Sequence, residues 1–176
     1  MLKKTWVLVA TFLLFLCSSE AESKNVAGWE VGRSDRHCQM LMAFENGVIV
    51  SFLWYPVEQH TGLSLVNGQW SSLQKRNGKQ ASVRLELAGR YVEHVEWWDN
   101  GALITANEDV RGVSGRWGST HANSFATSIM LADSMQILVD GRNIGFYNLS
   151  GSYKAMLQLR KCGFDLLKDT KRPFAL

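Results

Sequence analysis

The sequence predicts a single mainly β domain, an antiparallel β-sandwich or partly closed barrel with a short C-terminal helix. Three observations predict it: short segments alternate apolar and polar residues, glycine or asparagine turns separate them, and only two prolines interrupt 176 residues. Alternation with a period of two is typical of strands that have one buried face. Hydrophobic residues make up 46% of the chain, which is enough for a packed core.

The clearest strand pair covers residues 38–55. Apolar residues alternate on both sides of Asn46-Gly47, a dipeptide that favours a two-residue hairpin turn. Both faces of this hairpin are rather apolar, so we expect it to be central in the sheet and covered on both sides.

Further strands are predicted from the same alternation. They cover residues 61–66, 80–87, 91–98, 102–106, 135–139 and 143–149. Asp99-Asn100-Gly101 predicts a turn between two of these strands, and Asp140-Gly141 predicts a hairpin turn. Residues 107–121 contain several glycines and have no usable period, so we expect a long surface loop there.

Two helices are predicted from their first residues. Asn123 has the chemistry of an N-cap and precedes apolar residues at helical spacing, which predicts a short helix through Asp133. Ser152 predicts a second N-cap, followed by a helix over residues 153–162 that ends at Gly163. We therefore expect one domain at residues 22–164 and a flexible tail at residues 165–176.

The first 21 residues have the pattern of a secretory signal peptide. Lys3 and Lys4 give a positive start, residues 6–16 form an apolar run, and Ser19-Glu20-Ala21 places small residues at a cleavage position. A run of about eleven residues is too short for a membrane span, which needs roughly twenty. We therefore predict cleavage near Ala21 and a periplasmic or secreted chain without a transmembrane segment.

After cleavage the chain would keep two cysteines, Cys38 and Cys162. In an oxidising compartment an even pair predicts a disulfide, which would tie the first strand region to the last helix. Two buried free thiols are the alternative. Cys17, near the end of the apolar run, would carry a lipid in a bacterial lipoprotein, but the bulky Phe15 and Leu16 before it argue against that processing.

The C-terminal third resembles a known family. Residues 135–162 predict a strand, an x-Gly turn, a strand ending in Leu149-Ser150-Gly151, and a short helix containing Ala155. This segment is similar to the closing segment of the invasion-associated locus B proteins, which are small exported proteins of Gram-negative bacteria. Gly28-Trp29-Glu30-Val31 followed by Cys38 fits the same pattern. The resemblance implies a periplasmic β-sandwich without known catalytic residues.

The charge and the polar motifs exclude several function classes. A formal net charge of +3 is too small to indicate a nucleic-acid surface. The four histidines lack metal-ligand spacing, and no phosphate or dinucleotide motif is present, so we expect no metal and no cofactor. The alternative is an exported hydrolase of cell-wall or glycan material. Its candidate residues are Glu86, Glu93 and Glu96, or Asp109, Ser119 and His121.

Aromatic side chains are the remaining candidates for a binding surface. Trp97 and Trp98 are neighbours on one predicted strand and therefore point to opposite faces. Trp117 and His121 lie in the predicted loop, and loops on a rigid scaffold often carry function. We therefore expect a non-enzymatic binding protein of the cell envelope, with these four residues contacting an unknown protein or glycan partner. The alternative is that most tryptophans only fill the core.

Overall fold

The computed structural model of the chain describes residues 23–90, 92–107, 110–117 and 119–170, except the side chains of residues 92–95, 98, 100, 119 and 120. The predicted leader, with Cys17 and the cleavage site near Ala21, lies outside the described residues, as do residues 171–176. The strands are β1 (Lys24–Val26), β2 (Trp29–Arg33), β3 (Cys38–Ala43), β4 (Ile49–Tyr55), β5 (His60–Val66), β6 (Gln80–Gly89), β7 (Val92–Ala106), β8 (Arg111–Trp117), β9 (Ser134–Val139) and β10 (Arg142–Asn148). The helices are α1 (Ser119–Leu131) and α2 (Ser152–Thr170), and a 3-10 helix covers Ser71–Arg76.

All described strands belong to one antiparallel sheet, in the order β1-β2-β3-β4-β5-β8-β7-β6-β9-β10. Strands β1 to β5 form a simple meander, β8 then pairs with β5, and the β9–β10 hairpin completes the other edge. The prediction of a mainly β, antiparallel sandwich or partly closed barrel with a C-terminal helix is confirmed: the sheet is antiparallel and does not close on itself in the described residues. The predicted hairpin over residues 38–55 is central, because β3 and β4 each have a strand on both sides. The expectation that both of its faces are covered is wrong, because only one face carries the core and Ser51 and Leu53 on the other face are only partly buried.

One face of the sheet carries the core, as a period of two requires. In β6 every second residue is buried; these residues are Ala81, Val83, Leu85 and Leu87. Both helices cover this face: α1 packs on β5, β7 and β8, whereas α2 packs on β2, β3 and β4. The helices also contact each other. The buried rings of Phe125 in α1 and Phe52 in β4 lie 6.0 Å apart between their centroids.

The two edges of the sheet approach each other through side chains. The ring centroids of Phe44, which follows β3, and Tyr147 of β10 are 4.7 Å apart. The buried Trp29 of β2 donates a hydrogen bond from Nε1 to the carbonyl oxygen of Ser150, at 3.2 Å. A Cβ on Gly151 would lie 2.3 Å from the carbonyl oxygen of Ala27. The loop before α2 therefore packs directly on the first hairpin.

A disulfide joins Cys38 of β3 to Cys162 of α2. The two Cα atoms are 6.1 Å apart and 124 residues separate them in sequence. The predicted pairing is confirmed. Because Cys38 is fully buried, the bond fixes α2 against the core face of the sheet.

The β3–β4 turn is longer than predicted. The backbone N–H of Phe44 donates to the carbonyl oxygen of Val48, and that of Gly47 donates to the carbonyl oxygen of Phe44, both at 2.9 Å. Three residues therefore lie between the paired strands, and the prediction of a two-residue turn is wrong. Gly47 has a φ of 77°, the left-handed conformation that this three-residue loop requires.

Strand β7 runs through the predicted turn at residues 99–101, so that prediction is wrong. The β6–β7 register shifts between Ala81 and Val83, which marks a bulge in β7. The carboxylate of Asp99 accepts hydrogen bonds from the N–H of Gly101 at 2.8 Å and from that of Arg116 at 2.7 Å. A side chain thus satisfies backbone donors where the ladder is interrupted.

The prediction of a long surface loop over residues 107–121 is also wrong. Residues 111–117 form β8, which lies inside the sheet between β5 and β7. The glycines that obscured its period are required by close contacts. A Cβ on Gly112 would lie 2.5 Å from the carbonyl oxygen of Leu65, and one on Gly115 would lie 2.9 Å from Oδ2 of Asp99.

Both helices differ from their predicted bounds. α1 begins at Ser119, four residues before Asn123, and α2 continues past Gly163 to Thr170, so the predicted tail begins too early. Gly163 lies where a Cβ would be 3.1 Å from Cδ1 of Trp54, so it makes room for the indole instead of ending the helix. The hydroxyl of Ser152 donates to the carbonyl oxygen of Ile129 at 3.0 Å, and therefore ties α2 to the last turn of α1.

The first hairpin was missed from the sequence. Strands β1 and β2 are joined by Ala27 and Gly28, whose φ angles are 53° and 91°. Two consecutive left-handed residues form the tight turn that a two-residue hairpin favours. Alanine is uncommon in this conformation, so the dipeptide gave a weak signal.

We expect Gly151→Ala to lower the free energy of unfolding by clearly more than the roughly 1 kcal/mol that a left-handed alanine costs. The added methyl group would meet the carbonyl oxygen of Ala27. Gly141→Ala is the matched control, because Gly141 has a φ of 76° and nothing within 4 Å of an added Cβ. Urea unfolding of both variants measures the difference, and equal losses would contradict the close packing at Gly151.

We expect the double substitution Cys38→Ser/Cys162→Ser to lower the free energy of unfolding by up to about 5 kcal/mol, the chain-entropy value for so long a loop. Urea unfolding is measured with and without dithiothreitol. The reductant should lower the midpoint of the wild type and leave that of the double variant unchanged. If dithiothreitol does not change the urea midpoint of the wild type, the presence of the Cys38–Cys162 disulfide is contradicted.

Candidate binding site

Three of the four predicted surface residues lie around one phenylalanine of α1. Phe125 stacks on Trp117 with 4.3 Å between ring centroids, and its ring meets that of Trp97 edge-on at 5.3 Å. The rings of Trp97 and His121 are 6.1 Å apart. Residue 98 pairs with Arg84 through the backbone, and the side chain of Trp98 lies outside the described residues.

Burial separates these residues. Trp117 is only 5% exposed, because α1 begins two residues after it and folds back so that Phe125 covers its ring. Its predicted position in a surface loop is therefore wrong. Trp97 is half-buried, and its Nε1 is buried without a hydrogen-bond partner among the described atoms, whereas His121 is exposed. Contact of Trp97, Trp98 and His121 with a partner stays a prediction.

The predicted carboxylate pair lies on the face of the sheet opposite the core. Glu86 and Glu96 are directly opposite each other on β6 and β7. Arg84 contacts both, with N–O distances of 2.5 Å to Glu86 and 3.9 Å to Glu96. The shared guanidinium offsets the repulsion between the two carboxylates. The side chain of Glu93 lies outside the described residues.

A serine and a histidine also approach each other, in the loop between β2 and β3. Oγ of Ser34 lies 2.8 Å from Nδ1 of His37. The same oxygen accepts hydrogen bonds from the backbone N–H groups of Arg36 and His37, at 3.4 and 3.2 Å. This is the geometry of a serine that closes a turn. Of the predicted serine set, Asp109 and the side chain of Ser119 lie outside the described residues.

An aromatic stack continues from this turn. The rings of His37 and Tyr55 are 5.0 Å apart, and those of Tyr55 and His60 are stacked at 4.3 Å. Burial lowers the pKa of His37, and burial together with the charge of Arg116 lowers the pKa of His60. Both imidazoles are therefore neutral at pH 7 and suited to packing.

A cavity of about 360 Å³ opens between the 3-10 helix, β8 and the β9–β10 hairpin. We call it the Trp70 cavity. Its apolar wall consists of Trp70, Leu73, Val113, Val139 and Ile144. Its polar rim consists of Ser72, Arg76, Asp140 and Arg142. The volume and the combination of an apolar wall with few polar groups are those of a small-ligand site.

Local turns position the wall of the Trp70 cavity. The side chain of Asn67 accepts the N–H of Gln69 at 2.8 Å, and its carbonyl oxygen accepts the N–H of Trp70 at 3.1 Å. The 3-10 helix that follows buries Leu73. The opposite wall comes from alternate, core-facing positions of β8 and β9. These elements are far apart in sequence, and no motif in the sequence predicted that they form a cavity.

The rim carries more positive than negative charge. Arg76 pairs with Asp140 at 2.5 Å, and the carboxylate of Asp140 also accepts the backbone N–H of Ser82 at 2.9 Å. Burial raises the pKa of Asp140, but the hydrogen bonds from Ser82 and Arg76 and the charges of Arg76 and Arg142 outweigh it, so this pKa lies below its ordinary 3.8. Arg142 is exposed and makes no ion pair within 4 Å in the described part of the chain.

A second cavity, of about 440 Å³, lies between the β1–β2 hairpin and α2, beside the disulfide. Its lining is mostly polar and charged, and includes Lys24, Arg33, Asp35, Lys161 and Asp165. Neither cavity includes Glu86, Glu96 or His37. The Trp70 cavity is therefore the better candidate for holding an apolar group.

Comparison with protein-family models, with curated proteins and with solved structures finds no match for this chain. The resemblance of residues 135–162 to the invasion-associated locus B proteins therefore stays a prediction. Within the described residues, no three His, Cys, Asp or Glu side chains are grouped so that they could hold a metal ion. No helix in the same part of the chain has the length and apolar character needed to cross a membrane.

We expect Asp140→Asn to lower the free energy of unfolding at pH 7 by about 1 kcal/mol, the usual value of a partly exposed charged hydrogen bond. Because the folded state lowers the pKa of Asp140, this contribution is complete above pH 3.8 and is lost as the pH falls through the lower, folded-state value. Asparagine tolerates the left-handed φ of 49° at this position.

Urea unfolding at pH 7, pH 5 and pH 3 measures this dependence. The difference between wild type and variant should be equal at the two higher values and smaller at the lowest. Asp35→Asn, at an exposed carboxylate without an ion pair among the described residues, is the control and should have little effect. If the difference in the free energy of unfolding between wild type and Asp140→Asn grows on acidification, the lowered pKa of Asp140 is contradicted.

Proposed function

We propose that this chain is an exported, non-enzymatic binding protein whose Trp70 cavity takes a small ligand with an apolar body and an anionic group. The observation that carries the proposal is the pairing of a 360 Å³ cavity, walled by apolar side chains, with Arg142 at its rim. Arg76 is already occupied by Asp140, so Arg142 is the cation available to a ligand.

Export is part of the proposal and rests on the leader pattern at residues 1–21. The Cys38–Cys162 disulfide supports it, because disulfides persist in oxidising compartments such as the periplasm or the extracellular space. Several strands and the 3-10 helix form a rigid frame around the cavity, which favours a preformed site.

The alternative of an exported hydrolase has less support. Its carboxylates Glu86 and Glu96 are held by one arginine, outside both cavities described above. The Ser34–His37 pair closes a turn. A binding protein needs only the apolar wall and the cation, which the Trp70 cavity provides.

Fluorescent probes test the cavity. We expect anilinonaphthalene sulfonate, an apolar anion, to bind the wild type more tightly than the uncharged N-phenylnaphthylamine. Arg142→Gln should weaken binding of the anionic probe by at least roughly tenfold, since a charge-assisted hydrogen bond contributes about 1.5–3 kcal/mol, and should leave binding of the uncharged probe unchanged. Arg90→Gln, at an exposed arginine beyond the far end of β6, is the matched control and should change neither.

A second variant blocks the cavity. Ser72 lines the rim and is exposed, so Ser72→Trp should fill the space and weaken both probes without removing a core contact. Ser71→Trp, at the exposed neighbour that does not line the cavity, is the control. Near-ultraviolet circular dichroism verifies that each variant is folded, because the anionic probe also binds loosened proteins. Equal probe affinity in the two tryptophan variants would refute the site.

A further inference from the structure

Helix α2 presents apolar side chains to solvent as well as to the core. Tyr153, Leu157 and Phe164 are 52%, 42% and 57% exposed. At 3.6 residues per turn these positions fall within about 40° around the helix axis. The buried residues of the same helix lie on a different side of it and are Ser152, Ala155, Met156, Leu159, Gly163 and Leu166. Each residue of this exposed stripe therefore presents about half of its surface to solvent.

Positive charges flank this stripe. They belong to Lys154, Arg160, Lys161 and Lys168. The two acidic residues of α2 are neutralised: Asp165 lies 3.5 Å from Lys168, and Asp169 lies 2.7 Å from Arg33. The other three cations of the helix make no ion pair within the described residues. The sequence then continues with Lys171 and Arg172.

We propose that this face of α2 docks the protein on an anionic lipid surface. Tyr153, Leu157 and Phe164 enter the boundary between headgroups and acyl chains, and the neighbouring lysines contact lipid phosphates. Aromatic and leucine side chains bordered by lysine and arginine are the composition of helices that lie in a membrane interface. This surface is on a different element from the Trp70 cavity, so the proposal stands independently of the proposed ligand.

The shape and the charge both favour lipid over a folded protein partner. The stripe runs about 16 Å along the axis, because Tyr153 and Phe164 are eleven positions apart and each position adds about 1.5 Å. It lies on a convex helix surface, which a fluid headgroup layer can follow without a matching groove. The unpaired cations on both flanks are complementary to phosphate at any point of such a layer.

Vesicle sedimentation tests the proposal. The full chain is expressed, and the form that the host accumulates is purified, for wild type and variants alike. We expect binding to vesicles of equal parts phosphatidylglycerol and phosphatidylcholine, much weaker binding to phosphatidylcholine alone, and release by added salt. Leu157→Ser/Phe164→Ser should abolish the binding, and Lys154→Gln/Lys161→Gln should weaken it about fivefold for each lysine removed.

The matched controls make the same kinds of substitution at exposed positions outside α2. Val57→Ser/Leu103→Ser removes two exposed apolar side chains outside α2, and Lys75→Gln/Lys79→Gln removes two exposed charges. Both should bind like the wild type. Thermal unfolding verifies that all variants are folded.

Three results would overturn the proposal: no binding to anionic vesicles, equal binding to both lipid compositions, or equal losses in the α2 variants and their controls. Sedimentation velocity without lipid tests whether this face of α2 instead binds a second copy of the chain. A wild-type dimer that Leu157→Ser/Phe164→Ser dissociates would assign the face to self-association and would also overturn the membrane proposal.

Discussion

The packing of the buried Trp29 is the interaction that holds the two ends of the sheet together. Its indole contacts the rings of Phe44 and Phe52 and donates to the carbonyl oxygen of Ser150, so it joins the first hairpin to the loop before the last helix. Strands β1 and β10 are the two ends of the sheet and do not pair in the described structure. Side-chain packing of this kind, with the disulfide, therefore replaces ladder hydrogen bonds and keeps α1 and α2 on the core face.

Local patterns were sufficient for the strands that pair with sequence neighbours. The alternation in β6 and on both sides of Gly47 depends only on which face is buried, so it can be predicted from a few residues. Strand β8 could not be predicted in this way. Gly112 and Gly115 interrupt its pattern because of contacts with Leu65 and Asp99, which lie far away in sequence. The same reason explains the error at Gly163. A glycine after a helical pattern predicts a helix end, but this glycine lies inside α2 and makes room for the indole of Trp54.

The candidate site was less predictable than the fold. The walls of the Trp70 cavity come from three separate parts of the chain, and none of its residues forms a motif. The tryptophans were more prominent in the sequence, and the structure does bring Trp97, Trp117 and His121 together. However, Trp117 is covered by Phe125, and this cover depends on where α1 begins. The sequence identifies aromatic residues as candidates for a binding surface, whereas only the packing decides which of them reach solvent.

The contact between Gly151 and Ala27 has a kinetic consequence. Strands β2 to β5 form a meander of short-range pairs and can assemble early, but the contacts that close the sheet join residues more than 120 positions apart. Contacts of such long sequence separation slow folding, because loop-closure entropy is lost before they form. During synthesis the part of the core face formed by β2, β3 and β4 stays uncovered until α2 is available. The packing of α2 on these strands therefore completes the fold, and the Cys38–Cys162 disulfide forms late.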